Sequence, residues 1–223
     1  MKKNERLKNI VLSIETSVQG GSISILENEK EVDFWQGSGS ISKSEDILEE
    51  ISRLLKKNTI EKNQIKQIVI SRGPGSFTGT RIGLAIALGL KKSLNCDICG
   101  VSVLEAMTLK SNWNKNIITA IPIGANICIQ KFKIGQRGEL NKVTMPCLMS
   151  FESFIQQLED DSVSRVVLYE KLHKDVLAKV QAENQIAERL LCNYENLSYL
   201  IGMTAKELGT SDNLQPIYVR EMR

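Results

Sequence analysis

The residues best suited to chemistry lie in one short string, RGPGSFTGTR, from Arg72 to Arg81. The apolar run Ile68-Val69-Ile70 precedes it and reads as a buried strand. Beyond Phe77 the sequence turns helical and carries no charge between Arg81 and Lys91. A strand, a glycine loop and a helix start aim several backbone N–H groups at whatever sits above the loop. Arg72, Gly73, Gly75, Ser76 and Gly79 are therefore candidate phosphate contacts. The competing reading gives the glycines and Pro74 a purely structural task, a tight strand-to-helix turn, with Arg81 paired to an acidic neighbour. The same helix has small residues at Gly79, Gly83 and Ala87, four apart and so on one face. Such a face admits close approach of another backbone.

Carboxylates at the chain's two hairpins could hold magnesium or act as a base beside a nucleotide. Glu15 can serve at the first. The second, Ile121-Pro122-Ile123-Gly124-Ala125-Asn126, has no carboxylate. The single histidine, His173, is flanked by Lys171 and Lys174 and has no second histidine to share a metal, which reads as a surface helix residue. No Ser/His/Asp arrangement follows from one histidine so placed. Five cysteines, an odd number, suggest reduced thiols rather than a disulfide framework. Cys96-Asp97-Ile98-Cys99 is a lone pair that falls between a helix end and a strand start, where neither a metal nor a redox motif is expected.

These side chains need elements to position them. The order reads strand (Ile10 to Ile14), strand (Ser22 to Leu26), strand (Val32 to Trp35), helix, strand, helix, with flexible residues at Gly37 to Ser40. In the first helix Ile47, Leu48, Ile51, Leu54 and Leu55 recur at helical spacing behind a capping box of Ser42 and Glu45. A strand (Ile98 to Val101) and a short helix (Leu104 to Met107) follow. The pattern then recurs: Ile117 to Ile123, Ile127 to Ile134, a weak strand at Val143 to Met145, a helix with Phe151, Phe154, Ile155 and Leu158 on one face, and a strand at Val166 to Tyr169. Val176, Val180 and Ile186 fall on further helices, Leu197 to Leu208 on the last, and Pro216 to Arg220 forms an extended tail. The reading is an α/β protein with mixed sheets flanked by helices. Its N-terminal subdomain spans 1–113 and its C-terminal subdomain 114–223, the last helix (about 195–209) being placed to pack back on the first.

The 223 residues suffice for a sizeable core, and a net charge of +3 is too small to argue for a nucleic-acid binder. The apolar part of the N-terminus, Ile10 to Leu12 with Ile14, is too short for a secretory signal, so a cytoplasmic chain with no membrane span is expected.

The string RGPGSFTGTRIGLAIALGL resembles the signature of the bacterial TsaB (YeaZ) family. Val11 to Ser17 is similar to that family's first strand and Pro216 to Arg220 to its C-terminal end. The resemblance is sharp over about 20 residues at the loop and collinear elsewhere. It implies an actin-like/Hsp70-like fold of two subdomains (acetate and sugar kinase, Hsp70, actin; ASKHA), and a subunit that does no chemistry itself. It implies pairing with TsaD, which transfers threonylcarbamoyl to the adenosine beside the tRNA anticodon, with the ATPase TsaE in the larger set, and pairing with itself. The partner surface so implied lies on the helices Glu45 to Lys57 and Thr78 to Leu90. Its residues are Ile47, Ile51, Leu54, Phe77, Thr78, Gly79, Ile82, Gly83, Ile86 and Ala87. No cofactor is expected for the chain alone; ATP or ADP would enter within the complex, and tRNA would be reached through it. Glu15 departs from the family's Asp, Thr80 from its Leu, and the second hairpin from its Asp-Ala-Arg. The alternative is a nucleotide-dependent small-molecule kinase or ATPase of the same fold.

Overall fold

The computed structural model describes residues 9–18, 20–37, 44–111, 116–160, 165–180, 185–193, 196–207 and 213–221. The capping box expected of Ser42 and Glu45 and the break expected beyond Gly37 lie outside the described residues, as does Leu208. The chain divides into two compact units. The first holds residues 1–72, 77–101 and 196–216; the second holds 73–76, 102–195 and 217–223. The boundary after residue 113 thus moves to 101/102, because the segment from Ser102 packs on the second sheet, and 196–216 returns to the first unit.

In the first unit, β1 (Ile10–Glu15), β2 (Ser22–Glu27) and β3 (Lys30–Gln36) run antiparallel, while β4 (Ile65–Ser71) and β5 (Asp97–Val101) are parallel to β1. The sheet order is β3-β2-β1-β4-β5. Strand alternation turns Ile10, Leu12 and Ile14 to one face. There α1 (Ser44–Lys57) and α2 (Phe77–Leu94) close a core with Ile47, Ile51, Leu54, Leu84 and Ala87. The opposite face is built for close approach. It carries Ser13, Ser22 and Ser24, and α7 (Leu197–Glu207) lies on it through Gly202, where a Cβ would stand 2.8 Å from Leu26 Cδ1 and 3.2 Å from Ser13 Cβ. A buried polar seam fixes the register of α7. The Ser24 and Ser198 hydroxyls are 2.6 Å apart, and Asn196 Nδ2 donates to Ser24 Oγ at 2.9 Å.

The second unit contains α3 (Val103–Met107), a 3-10 turn (Thr108–Ser111), β6 (Asn116–Ile123), β7 (Asn126–Ile134), β8 (Leu140–Lys142), β9 (Cys147–Met149), α4 (Phe151–Asp160), β10 (Arg165–Tyr169), α5 (Glu170–Lys179), α6 (Gln185–Arg189), β11 (Leu190–Asn193) and β12 (Arg220–Glu221). Its sheet order is β11-β10-β6-β7-β9-β12, with β8 paired to β7. Read from its centre, β11-β10-β6-β7-β9 has the order and directions of the first sheet, so the doubled element pattern is a doubled topology. The strand expected at Val143 to Met145 is a loop. The Val143 N–H donates to Lys131 O at 2.9 Å, and Pro146, which has no N–H to give a ladder, separates it from β9. Residues 213–219 form no regular element, and the chain's last strand is Arg220–Glu221.

Candidate functional site

Three pieces meet above the C-terminal ends of β1 and β4: the β1–β2 turn, the end of β4 and the start of α2. Glu15 ends β1 and is 1% exposed. Its Oε1 accepts the Ser17 N–H at 2.5 Å, the Ser17 hydroxyl at 2.6 Å and the Val18 N–H at 3.0 Å. The Ser17 and Ser71 hydroxyls stand 3.2 Å apart, tying the turn to β4. Burial pushes the Glu15 carboxyl up to about 7, against the hydrogen bonds from Ser17, Val18 and Ser71 that favour its ionised form. No charged neighbour enters that balance. The carboxylate offered by the sequence as a metal or base position is therefore occupied in closing its own turn. At the other hairpin β6 and β7 pair as far as Ile123 and Asn126, and Gly124 turns the chain at φ +62°.

The glycine loop turns sharply after β4. Gly73 takes φ +85°, a conformation that suits only glycine without strain, and the Gly73–Pro74 peptide is cis. The Arg72 side chain does not reach over the loop. It lies across β5 at Gly100, where a Cβ would stand 2.6 Å from Arg72 Cδ, and its Nη1 donates to Gln215 O at 3.2 Å. Gly79 is buried, and its carbonyl accepts the Thr16 hydroxyl at 2.8 Å. Ser76 is exposed. Of the expected phosphate contacts, Arg72 and Gly79 are each turned to partners inside the first unit. Arg81 sits over the Phe77 ring, 3.8 Å from its centroid.

The expected partner face divides sharply. Ile47, Ile51, Leu54, Gly79, Gly83, Ile86 and Ala87 are all buried within the first unit. The small-residue stripe packs against its own sheet. A Cβ on Gly83 would stand 2.1 Å from Thr16 Oγ1 and 3.1 Å from Ile70 Cδ1. The glycines are there because the Thr16 hydroxyl enters the α2 backbone between them. Phe77 (54% exposed) and Thr78 remain outside, with Ile82 half-buried. The exposed apolar residues of these helices include two that the implied partner surface left out, Leu48 on α1 (46%) and Leu88 on α2 (48%). Phe77, Arg81, Ala85 and Leu88 fall at helical spacing along the outer side of α2. The signal was present in the sequence: a helix apolar on all sides has more apolar surface than one core face can use. Beside Leu48, a groove of about 240 Å³ runs between α1 and α2, with Leu12, Ile51, Leu55 and Leu90 among its walls.

Among the described residues no cluster of three His, Cys, Asp or Glu side chains is set to hold a metal ion, and no helix is long and apolar enough to cross a membrane. None of the five cysteines is in a disulfide. His173 sits half-buried on α5, and burial holds its imidazole below the usual value.

Two sheets of one topology, each flanked by helices, make this an α/β protein of doubled design. The family model for TsaD, tRNA N6-adenosine threonylcarbamoyltransferase, matches residues 40–129. The tRNA threonylcarbamoyladenosine biosynthesis protein TsaB of Buchnera aphidicola (subsp. Baizongia pistaciae) is 33% identical over 112 residues, 50% of each chain. That of Haemophilus influenzae is 26% identical over 167 residues, 70% of each chain. That of Escherichia coli is 32% identical over 111 residues, 50% of this chain and 47% of the other. The chain thus matches the Buchnera and E. coli proteins over about half their length. A solved structure, YeaZ from Pseudomonas aeruginosa, has the same fold with a TM-score of 0.66 at 17% identity, covering 94% of this chain and 99% of that one. The chain is thus similar in sequence to TsaB proteins and in fold to YeaZ.

Proposed function

We propose that this chain works in tRNA threonylcarbamoyladenosine biosynthesis as a non-catalytic subunit that pairs with a TsaD protein and activates it. The observation that carries this is the exposed apolar side of α1 and α2, with Leu48, Phe77 and Leu88 in water where a solitary helix layer would place polar residues. Two further features support it. Glu15 is spent on its own turn, and the second hairpin has no carboxylate to hold a metal–nucleotide. The same side serves self-pairing when TsaD is absent. ATP or ADP and the ATPase TsaE belong to the assembled set, which brings the chain to tRNA.

The test is co-purification with the TsaD protein of the same cell, followed by a tRNA modification assay with and without this chain. The parent chain is expected to pair and to stimulate modification, and Leu88→Asp with Phe77→Asp to lose both while keeping the parent's circular dichroism. Pairing unchanged in that double variant refutes the interface. Magnesium-dependent ATP turnover by the purified chain, lost in Glu15→Gln, would favour the small-molecule kinase or ATPase instead.

A further inference from the structure

Charge in the second unit is segregated along the chain. From Ala106 to Ser150 there are six basic residues, Lys110, Lys115, Lys131, Lys133, Arg137 and Lys142, against the single acid Glu139. From Phe151 to Glu195 the balance reverses, to nine acidic residues against five basic. The fold gathers four of the six bases onto one antiparallel ribbon. Lys131 and Lys133 lie on β7, Arg137 in the β7–β8 turn, and Lys142 on β8 opposite Phe132. Side chains two apart on a strand share a face at roughly 7 Å, an interval that suits successive phosphates of a nucleic-acid strand.

The ribbon's own acids neutralise only part of it. Glu105 on α3 takes Lys142 Nζ at 2.5 Å, and the exposed Glu139 accepts the Arg137 backbone N–H at 3.1 Å. Lys133 and Arg137 are exposed and have no acidic partner among the described residues. The tip is open. Gly138 turns at φ +82°, and a Cβ there would meet nothing within 4 Å. An antiparallel ribbon with Lys133 exposed on one strand and Arg137 exposed at its tip is complementary to a phosphate backbone, and nothing in it reads base edges.

We propose that the β7–β8 ribbon is an RNA-backbone contact, carried by Lys133 and Arg137, through which this chain itself touches the tRNA of the complex. The inference rests on the function proposed above, and it adds a direct contact to a role that would otherwise be served through the partner alone. The contact is electrostatic and independent of sequence.

The test is a salt titration of binding between an unmodified tRNA transcript and the reconstituted complex with TsaD. It compares the parent, Lys133→Glu/Arg137→Glu, the milder Lys133→Gln/Arg137→Gln, and a control of equal charge change on α5, Lys171→Glu/Lys174→Glu. Removing two phosphate contacts is expected to weaken binding about tenfold near 100 mM salt and to lower the slope of log K against log salt by about 1.5. The glutamine pair should show part of that loss and the α5 control none, with TsaD pairing unchanged in all. Equal affinity for parent and ribbon variant overturns the inference, and so does an equal loss in the α5 control. Binding of the ribbon to anionic phosphatidylglycerol vesicles as tightly as to tRNA overturns it too. If the chain does not pair with TsaD, the function proposed above fails by itself, and the same titration on the chain alone still reads the ribbon.

Discussion

Gly83→Ala separates a helix face turned to its own sheet from one turned to a partner. At this position an added Cβ would stand 2.1 Å from Thr16 Oγ1 and 3.2 Å from Thr16 Cβ. Ordinary contact begins at 3.4 Å, so Thr16 must move and release the Gly79 carbonyl it holds at 2.8 Å. Overpacking of this kind costs about 1–3 kcal/mol, and the lost buried hydrogen bond about 1 kcal/mol. The gain in helix propensity from glycine to alanine offsets about 1 kcal/mol. The net expectation is a loss of about 1–3 kcal/mol, or a fall in Tm of roughly 3–10 °C for a chain of this size. Thermal unfolding followed by circular dichroism measures it. Thr16→Ala supplies the control, because it removes the obstructing hydroxyl and leaves the 3.2 Å Cβ contact. The double variant should then lose less than the two single losses added together, by about 1 kcal/mol or more. At a temperature where Gly83→Ala is still folded, its pairing with TsaD should match the parent. Parent-like stability in Gly83→Ala, or strict additivity in the cycle, would refute the packing argument.

Glu15 gives a pH signature. Its carboxyl holds a proton up to about 7 in the fold but, at its ordinary 4.5, releases it early in the unfolded chain. Between those values the folded state binds more protons, so stability falls as pH rises from about 4.5 to 7 and levels off above. Glu15→Gln retains an acceptor for Ser17 and Val18 and abolishes the fall, so its Tm should exceed the parent's at pH 8 by more than at pH 5. A Tm difference independent of pH would sink this account. Cys128 is buried, and burial first and Cys147 second push its thiol up to about 12. A thiol reagent at pH 8 should leave Cys128 unlabelled in the native chain and modify it on denaturation; prompt native labelling, mapped by mass spectrometry, would count against that burial.

Much of the fold was legible along the chain because its signals are local. Apolar or alternating runs marked β1, β2 and β6, the recurrence of Ile47, Ile51 and Leu54 marked α1, and the glycine string marked the turn from β4 into α2. The doubled order of elements foreshadowed the doubled sheet topology. The orientation of α2 was not legible. That helix has apolar residues on every side, Gly83 and Ala87 on one and Phe77 and Leu88 on another, so periodicity alone cannot say which side meets the sheet. The small-residue stripe looked outward only because its occupant, the Thr16 hydroxyl, arrives from 63 positions upstream.

The sequence by itself determined the element order, the strand–glycine loop–helix at its centre, the resemblance to the TsaB family and the want of a carboxylate in the second hairpin. Each of these depends on residue type and near spacing. Tertiary structure alone decided three other things: Glu15 closes its own turn, Arg72 is bound to the tail at Gln215, and α7 covers the first sheet rather than the second. The physical reason is common to all three. A buried polar group goes to whichever partner the packed fold brings within reach, and for Arg72 that partner lies 143 residues away.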